Sequence, residues 1–546
     1  MKQTFKVHIE RYNPEIKKVY TQSYTVEYTP SQTVLQTLNF IRDNLDDSLS
    51  FRSSCQGGKC GSCAVALDGR PVLVCCTIVE GHDIIIGPLP NFMVINDLIV
   101  DRRECEDYFF KMLSQTDECG DTCNGHTHIE PEACLEESKI DYDNLSRCIG
   151  CMVCTSACPY SAQMDENGPN PSMLVTVLSS GVLTKKDGRL AFPIGKNSDY
   201  CSLCLNCYAA CPSGVHLNRV NSQSKDAYIQ TKGQRLRDRM LGHAEFVDKA
   251  GTLAPNLNNA LISSPLMRKT LEKTLGISSQ PSMVKFSKPL TSKRVDDKQP
   301  SRKVKKHKVA LFTGCYARYN DSDISQKAIT ILEKLGIQVE VPKQSCCGLP
   351  LIGNGDMASA KKKALKNIAS FAPWIDLNYD VVATCTSCSM MLKAEYTEVF
   401  DIKMSVALAD CTYDFAEYIN KLTAENEIKL ELASVPLHAV YHTPCHLKSQ
   451  KIGLPFIELL EKIPDFKVDL MDAKCCGQSG SYGYKAEKYS ISEAVGSELK
   501  ASMEKVKPEI GLSECGPCQL RMHDLSGLLV THPVLILDRA LISNGT

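Results

Sequence analysis

Cysteine is the residue type whose abundance and spacing point most directly to chemistry in this chain, with 28 copies in 546 residues. The stretch CIGCMVCTSACP begins at Cys148, and the same C-x2-C-x2-C-x3-C-P pattern begins again at Cys201. In this pattern three thiolates hold one 4Fe-4S cube and the fourth thiolate holds a neighbouring cube. Two copies therefore predict two 4Fe-4S cubes, most simply with crossed ligands. The predicted sets are Cys148, Cys151, Cys154 with Cys211, and Cys201, Cys204, Cys207 with Cys158.

A different cysteine pattern lies nearer the N-terminus. A C-x4-C-x2-C group and a later cysteine have the spacing of a plant-type 2Fe-2S site. Glycines between these cysteines would let backbone amides bend around the sulfurs and donate hydrogen bonds to them. A zinc loop is the alternative interpretation, and Cys76 could compete with Cys75 as the fourth ligand. The predicted ligands are Cys55, Cys60, Cys63 and Cys75.

A third pattern, of five cysteines, occurs twice in the C-terminal part of the chain. The offset between corresponding cysteines is 129 or 130 residues throughout, which predicts two related modules packed about a pseudo-twofold axis. Each module offers five thiolates where a cube or a zinc ion needs four. The extra sulfur could bridge irons and leave one iron open to a substrate sulfur. The predicted catalytic and metal-binding cysteines are Cys315, Cys346, Cys347, Cys385, Cys388, Cys445, Cys475, Cys476, Cys515 and Cys518.

Smaller groups around these patterns allow more than one interpretation. Gly348 and Gly477 follow the Cys-Cys pairs and would permit close approach of the backbone to a metal centre. His442 and His446 flank Cys445 and could donate to a cluster, shuttle protons or simply order a turn. An insertion before the first cube pattern is either an extra metal site or a polar loop with incidental thiols. Its candidate ligands are Cys119, Cys123, His126, His128 and Cys134.

The periodicity of apolar residues indicates which elements position the cysteines. Alternation in TFKVHIERY and a helical period in SQTVLQTLNFIRDNL predict a small α+β domain around the N-terminal pattern. Short helical segments surround the two cube patterns. Strand, turn and helix alternate in the C-terminal part, which is typical of α/β domains. We therefore expect a multidomain protein of α+β and α/β domains.

The chain is too long for one hydrophobic core, and its length suggests three or four domains. A stretch rich in Ser, Pro, Lys and Asn predicts a linker before the C-terminal modules. The predicted boundaries are 1–110 for the 2Fe-2S domain, 111–235 for the domain with both cubes, 236–306 for the linker, and 307–435 and 436–546 for the two Cys-Cys-Gly domains.

Composition excludes several classes of function. A formal net charge of -1 and an aromatic content of 7% argue against nucleic-acid binding by bulk charge or base stacking. Paired C-x2-C units and a charged N-terminus without a signal peptide predict reduced thiols in the cytoplasm. No window approaches the ~20 apolar residues of a membrane helix, so no direct membrane span is expected.

Roughly the first 220 residues resemble the iron-sulfur subunit of succinate dehydrogenases and fumarate reductases, through SLSFRSSCQGGKCGSCAVALDG, PLPNFMVINDLIVDR and the two cube patterns. The resemblance implies a β-grasp 2Fe-2S domain, an α-helical ferredoxin domain and an FAD-containing flavoprotein partner that interconverts fumarate and succinate. All eight cube positions are cysteine here, so two 4Fe-4S cubes are expected where many relatives hold a 3Fe-4S centre. The tryptophan that those relatives place near quinone is also missing, since Trp374 is the only tryptophan.

The C-terminal part resembles the catalytic B subunit of heterodisulfide reductase, whose doubled Cys-Cys-Gly pattern it shares. That resemblance implies two non-cubane 4Fe-4S clusters that cleave or form the mixed disulfide of coenzyme M and coenzyme B. Thiolate-bound iron suits this chemistry, because sulfur-sulfur cleavage takes two electrons and soft iron can hold each product sulfur.

The two resemblances meet in one chain, as they do in the thiol:fumarate reductase family. The implied function is that of an iron-sulfur subunit of an oxidoreductase that oxidises coenzyme M and coenzyme B thiols to the heterodisulfide. Its electrons would pass to the flavoprotein, which reduces fumarate to succinate. One alternative is a succinate:quinone oxidoreductase whose Cys-Cys-Gly half docks at the membrane. The other is a pure electron-transfer scaffold in which the Cys-Cys-Gly modules bind zinc or only dock a partner.

Overall fold

A computed structural model describes residues 3–103, 105, 107, 142–163, 199–289, 306–471, 473 and 475–542. The chain forms two compact units. The first contains residues 1–201 and 205–221, and the second contains residues 202–204 and 222–546. The candidate ligands of the insertion, Cys119, Cys123, His126, His128 and Cys134, lie outside the described residues. Among the helices that are described, none is both long enough and apolar enough to cross a membrane.

A five-stranded sheet forms the core of the first unit. Its strands are β1 Thr4–Asn13, β2 Lys18–Glu27, β3 Ala64–Leu67, β4 Arg70–Leu73 and β5 Ile84–Gly87, and a separate pair consists of β6 Val94–Asn96 and β7 Ile99–Val100. The strand order is β2-β1-β5-β3-β4. Phe5, Val7 and Ile9 alternate along β1 and are buried, as the period of two predicts. The helix Val34–Asn44 begins at a capping box and contributes its buried residues to the same core.

Two short helices give the two cube patterns the same local structure. Val153–Ala157 and Asn206–Ala210 each follow a left-handed residue, Met152 with φ 65° and Leu205 with φ 62°. An extended cysteine ends each helix. The repeated cysteine spacing is therefore matched by a repeated backbone. The other elements of this region are Tyr142–Leu145, the 3-10 helix Ser161–Gln163 and the helix Leu217–Lys232.

The linker predicted for residues 236–306 is wrong over its first part, because residues 236–275 form four consecutive helices. Pro255 and Pro265 each lie at the start of a helix, where the missing N–H has no helical partner and the fixed φ is favourable. Arg237 is buried and forms a two-pronged ion pair with Glu487 at 2.7 and 2.8 Å. Two of the prolines in this stretch, Pro255 and Pro265, are thus helix starts. The helices are Leu236–Gly242, Ala244–Gly251, Pro255–Ser263 and Pro265–Leu275.

Each C-terminal module contains a four-stranded parallel sheet. The first has β8 Lys308–Phe312, β9 Gln338–Glu340, β10 Asp380–Ala383 and β11 Thr412–Asp414. The second has β12 Leu437–Tyr441, β13 Phe466–Leu470, β14 Ile510–Leu512 and β15 Leu529–Thr531. The orders are β11-β10-β8-β9 and β15-β14-β12-β13, so corresponding strands occupy corresponding places.

The two modules share one apolar core. Phe415 of the first module stacks on Phe456 of the second, with ring centroids 6.1 Å apart. The first module has helices Ser322–Lys334, Leu349–Gly353, Met357–Ile375, Thr386–Met390, Tyr396–Glu398, Val406–Asp410 and Phe415–Ala424, π-helical turns Tyr316–Asn320 and Met391–Glu395, and the 3-10 helix Lys403–Ser405. The second has Cys445–Gln450, Pro455–Leu460, Tyr489–Val506, Gly516–Ser526 and Pro533–Ala540, with 3-10 helices Tyr482–Tyr484 and Ala486–Lys488.

Candidate metal centres

The loop before β3 surrounds the sulfur of Cys55 with backbone amides. The N–H groups of Gly57 and Cys60 donate to this sulfur at 3.4 and 3.3 Å. The N–H of Gly58 donates to the sulfur of Cys75 at 3.3 Å. Such donors stabilise the negative charge of thiolates that hold a cluster. The loop therefore provides the hydrogen bonds that its glycines predicted.

Cys75 and Cys76 differ in their surroundings. Cys75 is buried, and it forms a hydrogen bond with Cys63, whose pKa is raised to about 12, chiefly by burial. Cys76 is exposed, with its sulfur 3.6 Å from that of Cys75. A Cβ at Gly58 would lie 2.7 Å from the Cys76 sulfur, and the φ of Gly58 is 71°. Glycine is therefore required at this turn.

Four cysteines of the first unit meet around Cys154. Burial raises the pKa of Cys154 well above its usual value, and the charges of Cys151, Cys148 and Cys211 add to the increase. The pKa of Cys151 is raised to about 11 by burial and by Cys211 in turn. Cys211, from the second cube pattern, therefore lies beside the first three cysteines of the first pattern. This grouping is the one that the crossed arrangement of ligands predicts.

One cysteine of the second cube pattern, Cys204, belongs to the second compact unit. Within the second unit, a hydrogen bond between Cys204 and Cys445 raises the pKa of Cys445 well above its usual value. One cysteine of the cube pattern thus lies directly beside the second module's first cysteine.

The five thiols of the first module form a continuous chain of sulfur contacts. Cys346 accepts hydrogen bonds from Cys315 and Cys347, which lower its pKa well below the usual value of a thiol. Cys347 also contacts Cys388, and Cys388 contacts Cys385. All five predicted cysteines of this module therefore come together at one place.

The second module repeats this chain with Cys475 in the place of the acceptor. Cys445 and Cys476 donate to Cys475 and lower its pKa well below the usual value. The sulfurs of Cys476 and Cys518 lie 3.3 Å apart, and Cys518 also contacts Cys515. The five predicted cysteines of this module likewise form one group.

A backbone amide after each Cys-Cys pair is directed at the acceptor sulfur. The N–H of Gly348 donates to Cys346 at 3.5 Å, and the N–H of Gly477 donates to Cys475 at 3.4 Å. Both glycines have a positive φ, 99° and 85° respectively. Other residues adopt this backbone region only with strain. The glycines thus allow the backbone to approach each group of sulfurs.

The two modules contact one another at the residue that follows each first cysteine. The imidazole of His446 hydrogen-bonds the Ser387 hydroxyl through Nδ1 at 2.7 Å, and its Nε2 lies 2.9 Å from the carbonyl oxygen of Leu203. A carbonyl only accepts, so Nε2 is assigned the proton and Nδ1 accepts from Ser387. Ser387 lies inside the C-x2-C pair of the first module, and Leu203 precedes Cys204. One imidazole therefore joins three cysteine-bearing segments.

The corresponding contact in the other direction involves Tyr316, which follows Cys315. A Cβ on Gly516, inside the second module's C-x2-C pair, would overlap the Tyr316 ring. The close fit explains why glycine occupies that position. These inter-module contacts have no local signal in the sequence, because they join residues far apart in the chain.

His442 lies beside the sulfurs of the second module. It is 0% exposed, and neither ring nitrogen has a hydrogen-bond partner among the described residues. A ring nitrogen and the sulfurs of Cys476 and Cys518 all lie within 4.8 Å of one another. Burial lowers the pKa of His442 to about 3, so the imidazole is neutral. An unpartnered polar group is costly to bury, and a soft, sulfur-rich set of donors suits iron. The residues present therefore fit an iron-sulfur centre.

Two buried carboxyl groups lie next to the module centres, and sequence reasoning did not identify them. Burial and the nearby Asp414 raise the pKa of Glu514 to about 8. The hydroxyl of Tyr441 donates to the carboxyl oxygens of Glu514 at 2.6 and 2.7 Å. Burial likewise raises the pKa of Asp414 to about 7. Acidic residues at strand ends are usually exposed, so no pattern of residues indicated their burial.

Three family models match the chain. A 2Fe-2S iron-sulfur cluster binding domain covers residues 6–107, and a 4Fe-4S dicluster domain covers residues 144–215. A cysteine-rich domain matches twice, over residues 309–393 and 439–523. These matches confirm the predicted succession of a 2Fe-2S domain, a domain for two 4Fe-4S clusters and two repeated cysteine-rich domains.

Known relatives cover different shares of this chain. The C subunit of anaerobic glycerol-3-phosphate dehydrogenase from Escherichia coli is 31% identical over 401 residues, which are 73% of this chain and 99% of the relative. The B subunit of fumarate reductase (CoM/CoB) from Methanothermobacter marburgensis is 26% identical over 533 residues, 95% of this chain and 94% of the relative. The fumarate reductase iron-sulfur subunit of Mycobacterium tuberculosis is 34% identical over 222 residues, 38% of this chain and 86% of the relative.

The chain belongs to the iron-sulfur subunit family that joins a fumarate reductase-type subunit to two cysteine-rich modules. It is accordingly an iron-sulfur subunit of a fumarate reductase-like oxidoreductase. A solved structure of a hypothetical protein from Helicobacter pylori has a TM-score of 0.52 at 10% identity, covering 100% of this chain and 95% of that chain. That likeness concerns the fold alone. The resemblance to fused iron-sulfur subunits that the cysteine patterns predicted is confirmed.

Proposed function

We propose that this chain is the iron-sulfur subunit of a thiol:fumarate oxidoreductase. The reaction joins the sulfurs of the coenzyme M and coenzyme B thiols in a heterodisulfide and releases two electrons and two protons. The same numbers of electrons and protons reduce fumarate to succinate on an FAD-containing flavoprotein partner. The observation that carries the proposal is the presence of two matching five-thiol groups in duplicated modules, in one chain with 2Fe-2S and dicluster domains.

The relatives support each half of this proposal. The B subunit of the CoM/CoB fumarate reductase matches 95% of this chain, so the match includes both the N-terminal domains and the cysteine-rich modules. Fumarate reductase iron-sulfur subunits match a shorter part. We infer the flavoprotein partner from these subunits and the coenzyme thiols from the full-length relative.

In this proposal the grouped thiols are the cofactor ligands. One 2Fe-2S cluster is held by Cys55, Cys60, Cys63 and Cys75. The cysteines of the two cube patterns hold two 4Fe-4S cubes, and the module cysteines hold two non-cubane 4Fe-4S clusters. Bound clusters would supply one-electron steps between the thiols and the flavin. The chain's own residues hold the sulfurs and exclude water. Cys346, Cys347, Cys475 and Cys476 are all buried. The amides of Gly348 and Gly477 stabilise negative charge at each Cys-Cys pair.

Replacement of single module cysteines tests this division of labour. In the complex with its flavoprotein, Cys346→Ser and Cys475→Ser are each expected to abolish thiol oxidation. Both variants should retain fumarate reduction with an artificial electron donor, because the flavin site lies on the partner. Cys411→Ser is a matched control, since Cys411 lies outside the five-thiol group and its thiol donates to the carbonyl of Ala407 at 3.2 Å. Equal loss of both activities in the two variants would contradict the proposal.

The relative from Escherichia coli favours a second candidate function. Its identity of 31% exceeds that of the CoM/CoB relative, and the activity in its name does not concern coenzyme thiols. In this candidate the chain passes electrons between a flavoprotein and another acceptor, such as quinone. A purified complex that reduces quinone and is inert toward both coenzyme thiols would establish it.

A further inference from the structure

The two modules differ at one buried position beside their cysteines. His442 corresponds to Phe312 by the same offset of 130 residues that relates Cys445 to Cys315. Phe312 is fully buried and packs on Phe371 with ring centroids 5.7 Å apart. His442 is equally buried, yet its ring nitrogens have no partner among the described residues. The modules are therefore alike in topology but unlike in the polar groups that face their sulfurs.

We propose that His442 donates a hydrogen bond to the second module's metal centre and makes that centre more easily reduced than the first. The proposal rests on the proposed function in one respect, namely that both modules hold iron-sulfur centres. An N–H directed at cluster or ligand sulfur stabilises the negative charge added on reduction, which raises the reduction potential. The hydrocarbon ring of Phe312 offers the first centre no such donor.

The residue three positions after the first cysteine is basic in both modules. Lys448 is the cation that faces His442, and its ammonium donates to the Ala473 carbonyl at 2.9 Å. Arg318 occupies the corresponding place in the first module, with its guanidinium 5.3 Å from the Tyr319 ring centroid. Both modules thus have a basic residue at this sequence position, so this pair does not distinguish them.

The second module's position beside Cys204 indicates which way electrons would pass. Cys445, the first cysteine of the second module, forms a hydrogen bond with Cys204, a cysteine of the cube pattern. The centre that we expect to be reduced first is therefore the one that lies beside Cys204. Electrons removed from thiols would collect at this centre rather than at the first module.

The proposal is tested by measuring the midpoint potentials of the two module centres in the full-length, iron-loaded chain. The potentials are obtained from a reductive titration monitored by electron paramagnetic resonance. His442→Phe copies the first module's residue and should shift one centre to a lower potential, closer to the other. His442→Gln retains an N–H donor and should restore most of the shift. Phe312→His should raise the midpoint potential of the first module's centre. Unchanged potentials in His442→Phe at full iron content would overturn the proposal.

A second measurement uses the unmodified chain with its histidines labelled with ¹⁵N. The same measurement on His446→Gln identifies any coupling that comes from His446 rather than from His442. A ¹⁵N hyperfine coupling at the more easily reduced centre supports the proposal, and its absence overturns it. Neither measurement uses substrate, so a failure of thiol oxidation would leave the result intact. Iron missing from both modules in the unmodified chain would instead contradict the proposed function.

Discussion

Asp414 illustrates, at the scale of single residues, how burial controls charge near the module centres. It caps the helix Phe415–Ala424 by accepting from the N–H of Ala416 at 3.3 Å. Burial raises the pKa of Asp414 to about 7 from an ordinary value of 3.8, and Lys393 only partly opposes the increase. Between these two values the folded chain holds a proton that the unfolded chain has lost. Stability contributed by this group therefore falls as the pH rises toward 7.

Asp414→Asn should remove this pH dependence while keeping a side chain that can cap the helix. Between about pH 5 and pH 7, the unfolding free energy of the variant should gain about 2 kcal/mol relative to the unmodified chain. Thermal unfolding of the iron-loaded chain, followed by circular dichroism across this range, measures the difference. Asp410→Asn is the control, because Asp410 is four residues away in the chain and is exposed. Its unfolding free energy should change with pH in the same way as that of the unmodified chain. Parallel curves for Asp414→Asn would show that its carboxyl is ionised throughout.

At the scale of elements, the long helix that follows each Cys-Cys-Gly segment packs directly on that segment. Helix Tyr489–Val506 presents Ser492 and Gly496 to it, and a Cβ on Gly496 would lie 2.9 Å from the carbonyl oxygen of Cys476. A Cβ on Gly477 would overlap the carbonyl oxygen of Ser492. In the first module, Gly348 faces Ala360 of helix Met357–Ile375 at 3.4 Å. The glycine therefore sets how closely helix and sulfurs approach.

Gly477→Ala should displace this helix and release iron from the second module. Gly480→Ala is the matched control, because Gly480 also has a positive φ, 60°, but nothing within 4 Å of an added Cβ. Both variants incur backbone strain of about 1–2 kcal/mol, and only Gly477→Ala adds an overlap costing about 1–3 kcal/mol. Unfolding temperature and iron content of the two purified variants give the comparison. Equal effects would mean that the contact with Ser492 is unimportant.

Elements whose residues follow a short-range pattern could be predicted from the sequence. The alternation of Phe5, Val7 and Ile9, and the constant spacing of the module cysteines, both depend on short-range periodicity. The helices of residues 236–275 are not predicted, because a composition rich in Ser, Pro, Lys and Asn favours a linker, although Pro255 and Pro265 begin helices. Contacts such as those of Ser387 could not be predicted, since they depend on how the two modules pack.

At the scale of the whole molecule, the arrangement of five cysteine groups makes a prediction about metal content. If every group holds its expected cluster, the iron-loaded chain should contain about 18 irons and no zinc in its modules. About ten irons with added zinc would support the electron-transfer scaffold instead. Iron, zinc and acid-labile sulfide analysis of protein purified without oxygen distinguishes the two. The Cys346→Ser and Cys475→Ser variants show how much iron is lost when the centre of one module is disrupted.

The most direct measurement is fumarate-dependent thiol oxidation by the chain purified together with its flavoprotein. We expect one heterodisulfide for each succinate formed, with both coenzyme thiols required, because the two-electron reactions balance. Omitting fumarate or either thiol should stop both products. A complex that forms succinate from an artificial donor but leaves the two thiols unoxidised, with its full iron content, would contradict the account.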